Sequence, residues 1–172
     1  MNIFVTHPDH DLSARALDDR RLTKMILETA QLLSTWISLK YPGDIGLSYL
    51  YKSTHMKHPC TLWLFENDRN PYWLIQHGYT LSEEFSARRG KTHASSRVIS
   101  RVHTMWQHQG GPECTATPIE FCDCAGSAWK EAYNLPEDAV EFSTPLRYRF
   151  CLEAKWKKDR ENGRPPKWDG KL

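Results

Sequence analysis

Leu22-Thr23-Lys24-Met25-Ile26-Leu27-Glu28-Thr29-Ala30-Gln31-Leu32-Leu33-Ser34-Thr35-Trp36-Ile37 is the most informative run in this chain. Leu22, Met25, Ile26, Thr29, Leu32, Leu33, Trp36 and Ile37 recur every three or four residues, the spacing that gathers side chains on one face of an α-helix. The pattern predicts one long amphipathic helix from Leu12 to about Leu39, stopped by Tyr41-Pro42-Gly43. Before it, Ile3, Phe4 and Val5 predict a short strand or an extended buried start over 1–6. After it, Gly43 to Lys57 reads as a loop with a turn of helix. His58-Pro59 puts proline at a favoured first helical position ahead of Leu62, Trp63 and Phe65. Asn70-Pro71 repeats the device, with Asn70 as cap, and the helix runs through Trp73, Leu74, Tyr79, Leu81 and Phe85 to Gly90. Thr92 to Gln109 predicts another helix, with Val98, Ile99, Val102, Met105 and Trp106 inward and Gly110-Gly111 ending it.

Gly111 to Leu135 reads as irregular, with short helical pieces after Thr117-Pro118 and around Trp129. Thr144-Pro145 starts a last helix through Phe150, Leu152 and Trp156, and Arg164-Pro165-Pro166-Lys167-Trp168 reads as an extended tail with Trp168 docked on the body. No repeat and no long linker divides the chain. The predicted class is all-α, a single multi-helix domain over 1–172, made of helices to 110, an irregular acidic insert over 111–142, and a C-terminal helix and tail over 143–172.

At 172 residues, 40% hydrophobic and 26% charged, the chain has the composition of a folded domain rather than a disordered one. Lys24, Glu28 and Gln31 interrupt the most apolar region, so nothing approaches the ~20 apolar residues of a membrane helix. His7, Asp9 and Asp11 follow the start too closely for the basic-then-apolar order of a signal peptide. Cys60, Cys114, Cys122, Cys124 and Cys151 form an odd set without a bridging pattern, which fits reduced thiols in a cytoplasm.

The net charge of +2 conceals a segregation. From Phe85 to Pro112 there is no Asp or Glu, against Arg88, Arg89, Lys91, Arg97 and Arg101, with His93, His103 and His108. From Glu113 to Phe142 the sign reverses: Glu113, Glu120, Asp123, Glu131, Glu137, Asp138 and Glu141 face Lys130 alone. Basic residues return after Ser143, interleaved with acids at helical spacing, which reads as a solvated face. The carboxylate-free stretch instead fits a surface compensated by an anion such as a nucleic-acid phosphate.

Several constellations carry chemistry. Arg21, Lys24, Glu28, Gln31 and Thr35 form a polar stripe on one face of the first long helix, flanked on both sides by apolar groups. Lys24 and Glu28 are either a simple i,i+4 ion pair or an amine and a carboxylate in a water-poor groove, as acid–base or Schiff-base chemistry requires. Arg88-Arg89-Gly90-Lys91-Thr92-His93 opens a helix whose free N–H groups attract anions, although it lacks the upstream glycine of a phosphate-binding loop. His77 and Glu84 share a face leading toward Arg88, as buried structural groups or as part of a site. His55, His58 and Cys60 cluster, but Cys122-Asp123-Cys124 is too tight for a usual zinc knuckle and His55-x-x-His58 is one residue short; no metal site and no cofactor are expected. His58 is a helix cap or a cleft residue. Most of the seven Trp and seven Tyr belong to the core, while Tyr72, Tyr79 or Trp168 could stack on a base.

Met1-Asn2-Ile3-Phe4-Val5, Asp19, the run Lys24 to Leu33, His58-Pro59-Cys60 and Gly90-Lys91-Thr92-His93 together resemble a family of small phage-encoded proteins labelled pyrimidine-dimer DNA glycosylases of the endonuclease V type. The resemblance covers about the first hundred residues and the proline-rich tail. It implies an all-helical DNA repair enzyme that flips a nucleotide, attacks the sugar C1′ with an amine and cuts the strand by β-elimination, with a glutamate on an early helix flanked by arginines. Arg20, Arg21, Lys24 and Glu28 are similar to that set in residue type. The family's nucleophile is the α-amine of a small residue exposed by methionine removal, and Asn2 is poorly suited to such removal, so the amine here is expected from Met1 or Lys24.

The resulting expectation is a cytoplasmic DNA-acting base-excision glycosylase, with a lyase step as the finer prediction. Lys24, Glu28, His58 and His93 are its candidate catalytic residues. Arg20, Arg21, Arg88, Arg89, Lys91, Arg97 and Arg101 are its candidate DNA contacts. Two alternatives remain at this point: an enzyme acting on nucleotides or modified bases through the same pocket, and a non-catalytic module binding nucleic acid or a host protein.

Overall fold

The computed structural model describes residues 1–118, 120–125 and 142–168. Its helices are α1 (His10–Arg15), α2 (Asp19–Lys40), α3 (Pro59–Trp63), α4 (Arg69–Arg89), α5 (Ser96–His108) and α6 (Thr144–Glu161), with a 3-10 turn at Ile45–Tyr49 between α2 and α3. No strand occurs among the described residues, as the all-α expectation requires. No helix among them is long and apolar enough to cross a membrane.

The predicted first helix is two. Asp18 adopts an extended conformation and its carboxylate accepts the N–H groups of Arg20 and Arg21, which starts α2 afresh. Such a cap stabilises a helix by ~1 kcal/mol, and it turns α1 across α4. Periodicity concealed the break because buried Ala14 and Leu17 continue the apolar pattern through the corner. Two other starts also differ. Asn67, not Asn70, accepts the first N–H groups of α4, while buried Asn70 donates to the Trp63 carbonyl. α5 begins at Ser96 rather than Thr92, because His93 Nδ1 accepts the Ser95 N–H and holds a turn there. Gly90, at φ 65°, ends α4 as the sequence indicates, in the left-handed conformation glycine adopts without steric cost.

The core forms where α2, α4 and α5 cross. Leu22, Met25, Ile26, Leu32, Leu33, Trp36 and Ile37 of α2 are all buried, each worth roughly 1.5–3 kcal/mol of transfer free energy for a large aliphatic side chain. A Cβ on Gly78 would lie 3.1 Å from both Ile99 and Thr29, so its missing side chain lets α4 approach both partners closely. Trp36 and Trp106 pack with ring centres 5.0 Å apart.

The chain start is extended, with Ile3 and Val5 fully buried. α6 lies against it: Phe4 packs on Tyr148 at 5.8 Å, and Arg149 Nε donates to the Thr6 carbonyl at 2.9 Å. Trp168 docks on the body as expected, and the tail closes over the α1–α2 corner. Trp168 packs on Trp156 at 5.0 Å, and the Lys167 carbonyl accepts the Asp19 N–H at 2.7 Å. The helical piece expected around Trp129 and most of the acidic insert lie outside the described residues, and 120–125 is irregular.

Candidate active site

Asn2 is a hub that the sequence did not single out as a site residue. Its backbone N–H donates to Glu28 Oε2 at 2.7 Å, its side-chain Nδ2 donates to the Cys124 carbonyl at 3.0 Å, and its Oδ1 accepts the Phe4 N–H at 2.9 Å. Phe4 sits at φ 43°, a left-handed conformation that costs an ordinary side chain of order 1–3 kcal/mol. The clamp on Asn2 holds that turn and fixes where the chain start meets α2.

Glu28 is 8% exposed. Its second oxygen, Oε1, pairs with Lys24 Nζ at 3.3 Å, and the Lys24 side chain is 68% exposed. One carboxylate therefore faces the chain start through one oxygen and a solvent-reaching amine through the other. Lys155 Nζ lies 6.0 Å over the Phe4 ring, adding a second cation near the chain start.

The other expected site residues divide. Arg21 bridges Asp18 and Asp159, each at 2.8 Å, and Arg20 reaches the same Asp159 at 3.4 Å. Burial disfavours the Asp159 charge, but its hydrogen bond to Arg21 and the nearby Arg20 and Arg164 outweigh this and hold its pKa below the usual 3.8. Arg88 is only 7% exposed. It donates to Asp19 at 3.0 Å, to Glu84 at 2.8 Å and to the Leu17 carbonyl at 2.8 Å. Arg89 lies 4.0 Å from Asp19. Arg21, Arg88 and Arg89 thus brace the start of α2 against α4 and α6, and Glu84 belongs to this bracing. Lys91, Arg97 and Arg101 are exposed, and Arg101 stacks at 4.8 Å over Tyr49.

The described contacts of His58, His77 and His93 are to groups other than Glu28. His58 Nδ1 accepts the Cys60 N–H at 3.2 Å and caps α3. His93 packs edge-on against Phe85 at 5.1 Å, and burial, then Lys91, lowers its pKa. His77 is wholly buried, stacks on Trp73 at 4.9 Å and meets the His10 carbonyl at 3.1 Å. A cavity of about 300 Å³ lined by Pro8, His10, Tyr72, Trp73 and Gln76 includes none of Lys24, Glu28, His58 or His93. Sequence periodicity placed Lys24, Glu28 and His77 on their helices but set His93 inside α5 rather than in the turn before it, and it carried no information about which faces meet.

A second polar cluster lies on the far side of Asn2. Cys60 Sγ is 3.5 Å from Cys124 Sγ, and Cys122 Sγ is also 3.5 Å from Cys124 Sγ. Hydrogen bonds from Cys122 and Cys60, with His58 nearby, pull the Cys124 thiol down, while contacts with Cys122 and then Cys124, with burial, push Cys60 up.

A family model described as pyrimidine dimer DNA glycosylase matches residues 1–98, which include Asn2, Lys24, Glu28, His58 and His93. The chain belongs to the pyrimidine dimer DNA glycosylase family. As a member it is an enzyme, a DNA N-glycosylase with DNA as its substrate, and not a non-catalytic binding module. No curated protein and no solved structure matches the chain.

Proposed function

We propose that this glycosylase cleaves a glycosidic bond at pyrimidine dimers through a covalent sugar adduct, with Glu28 as its central carboxylate and the amine at the chain start as its nucleophile. The contact between the Asn2 N–H and Glu28 Oε2 at 2.7 Å carries this reading, because it sets the beginning of the polypeptide on a buried carboxylate. With Met1 in place the nitrogen touching Glu28 is an amide and the amine stands one residue outward; if Met1 is cleaved, that nitrogen is itself the amine. The target nucleotide is extruded from the duplex so that C1′ can be reached. The amine lone pair then forms the C–N bond as the glycosidic bond breaks; the bonding electrons go to the pyrimidine, which stays joined to its dimer partner. Glu28 stabilises the cationic sugar and takes the amine proton. The sugar ring of this adduct then opens, the C1′–O4′ electrons leaving on O4′ as it takes a proton, and C1′ becomes an imine; loss of a C2′ proton from that imine expels the 3′ phosphate, which is the lyase step.

Lys24 supports a second reading, since its Nζ pairs with Glu28 Oε1 at 3.3 Å. Arg20, Lys91, Arg97 and Arg101 are the exposed bases that would hold phosphates, while Arg21, Arg88 and Arg89 position α2.

Borohydride trapping on dimer-containing duplex, followed by peptide mapping, separates the two amines. The expected adduct maps to the N-terminal peptide, survives Lys24→Ala and is lost when the α-amine is acetylated. An adduct on Lys24 overturns the choice of nucleophile. No adduct and no glycosidic-bond cleavage, read as base freed once the dimer is photoreversed, overturns the reading.

A further inference from the structure

Two thiols and an imidazole meet where α3 begins, with a third thiol beside them. A ring nitrogen of His58 and the sulfurs of Cys60 and Cys124 all lie within 4.8 Å of one another, and Cys122 Sγ is 3.5 Å from Cys124 Sγ. We propose that His58, Cys60, Cys122 and Cys124 form a closed, structural zinc site. Cys122 and Cys124 lie beyond the span matched by the family.

The donor set is right for the ion. Thiolates with one imidazole select zinc over magnesium or calcium, and three cysteines with one histidine are an established structural combination. Tetrahedral coordination at ~2.3 Å per Zn–S bond sets the sulfurs ~3.8 Å apart, close to the 3.5 Å separations here. A disulfide needs ~2.05 Å between sulfurs and would use two of the three thiols. Spacing along the sequence hid the site, because each half supplies only two ligands and the halves are some sixty residues apart.

Surrounding groups hold the ligands in place, as metal sites require. Buried Tyr148 accepts the Cys124 N–H at 2.9 Å and donates to the Cys122 carbonyl at 3.2 Å, fixing the Cys122-Asp123-Cys124 turn. Asp123 Oδ1 accepts the Ala125 N–H at 3.1 Å and closes that turn. Pro59 sits in the first turn of α3, between His58 and Cys60. Coordination through either ring nitrogen replaces the His58 cap on the Cys60 N–H, since a neutral imidazole bound to metal has no lone pair left to accept it. The Cys124 carbonyl also accepts from Asn2 Nδ2, so the ion would anchor the residue that touches Glu28. Its role is positional.

The test uses the full chain purified under reducing conditions. Inductively coupled plasma mass spectrometry should find one zinc per chain, retained by Cys114→Ser and lost by Cys60→Ser. Replacement by cobalt should produce thiolate charge-transfer absorption and the intense visible bands of a tetrahedral centre. A chelator should lower the wild-type Tm, measured without DNA. If Cys60→Ser does not fold, the cobalt spectrum of the wild-type chain decides alone. A folded wild-type chain that takes up neither metal, or a Cys60–Cys124 disulfide found by mass spectrometry in the reduced preparation, overturns the proposal. The base-release assay is separate, so failure of the metal site leaves the catalytic reading standing.

Discussion

Asn2 and Glu28, 26 residues apart in sequence, meet at 2.7 Å, backbone N–H to carboxylate oxygen. Burial of Glu28 gives that contact its weight, since its other oxygen pairs with the solvent-reaching Lys24. Glu28→Gln keeps the size and one acceptor oxygen but removes the charge. Glycosidic-bond cleavage on dimer-containing duplex under single-turnover conditions should slow by roughly 10²–10⁴, the usual scale for losing a positioned acid–base group, with little change in DNA affinity. A variant within a factor of a few of wild type removes Glu28 from the chemistry.

The arginines separate by what they touch. Arg88 is enclosed between Asp19, Glu84 and the Leu17 carbonyl, and its loss takes a 3.0 Å ion pair from the buried Asp19 carboxylate. Arg88→Ala should cost about 3–5 kcal/mol of stability, as for one partner of a buried pair, read by urea unfolding. Lys91→Ala and Arg97→Ala should leave stability unchanged, and each should reduce the salt dependence of DNA binding by about one counterion. The opposite pattern, with Arg88→Ala stable but weak on DNA, would make Arg88 a phosphate contact.

Much of this was legible in the chain itself. The period of Leu22 to Ile37 gave α2 and its inward face, and Gly90 and Gly110-Gly111 ended α4 and α5 as expected. Local chemistry that competes with period was harder to see: Asp18 breaks the first helix although apolar residues continue past it, and Asn67 rather than Asn70 opens α4. Lys24 and Glu28 were found because one helix face suffices to pair them. Asn2 was missed as a partner of Glu28, and Cys122 and Cys124 as partners of His58 and Cys60. Those meetings depend on how α6 and 120–125 wrap the chain start, which no local pattern encodes.

Acid should weaken the fold before its carboxylates titrate. Burial lowers the pKa of His77 from 6.5 to about 4, so the folded protein keeps this ring neutral where the unfolded chain protonates it. The unfolded state then binds more protons, and stability falls as pH drops from 6.5 toward 4, by an amount on the order of 3 kcal/mol. His93 and His103, also lowered by burial, act in the same direction. Asp159 and Asp9, held below 3.8, add their loss only at lower pH. Urea unfolding across this range should show the slope, and the His77 ring resonances should stay those of the neutral form until about pH 4. A flat stability profile, or a ring titrating near 6.5, would show that His77 is accessible to water.

Gly110 and Gly111 end α5 side by side, and replacing them should have different consequences. Gly110 has φ 75° and open space where a Cβ would stand, so Gly110→Ala meets only the backbone penalty of the left-handed region, ~1–2 kcal/mol. Asparagine tolerates that region better, and Gly110→Asn should recover part of the loss. At Gly111 a Cβ would come within 2.0 Å of two carbons of the Trp106 indole, a ring that is almost fully buried, packs on Trp36 and carries Lys40 Nζ at 4.5 Å over its face. The indole has no free side to turn toward without giving up Trp36. Gly111→Ala should therefore cost at least the ~1–3 kcal/mol of an overpacked core, and Gly111→Asn should cost more rather than less. Tryptophan emission should shift for both Gly111 variants and for neither Gly110 variant. Equal stability losses at the two positions, without that shift, would mean that the loop after α5 yields instead of the Trp36–Trp106 contact.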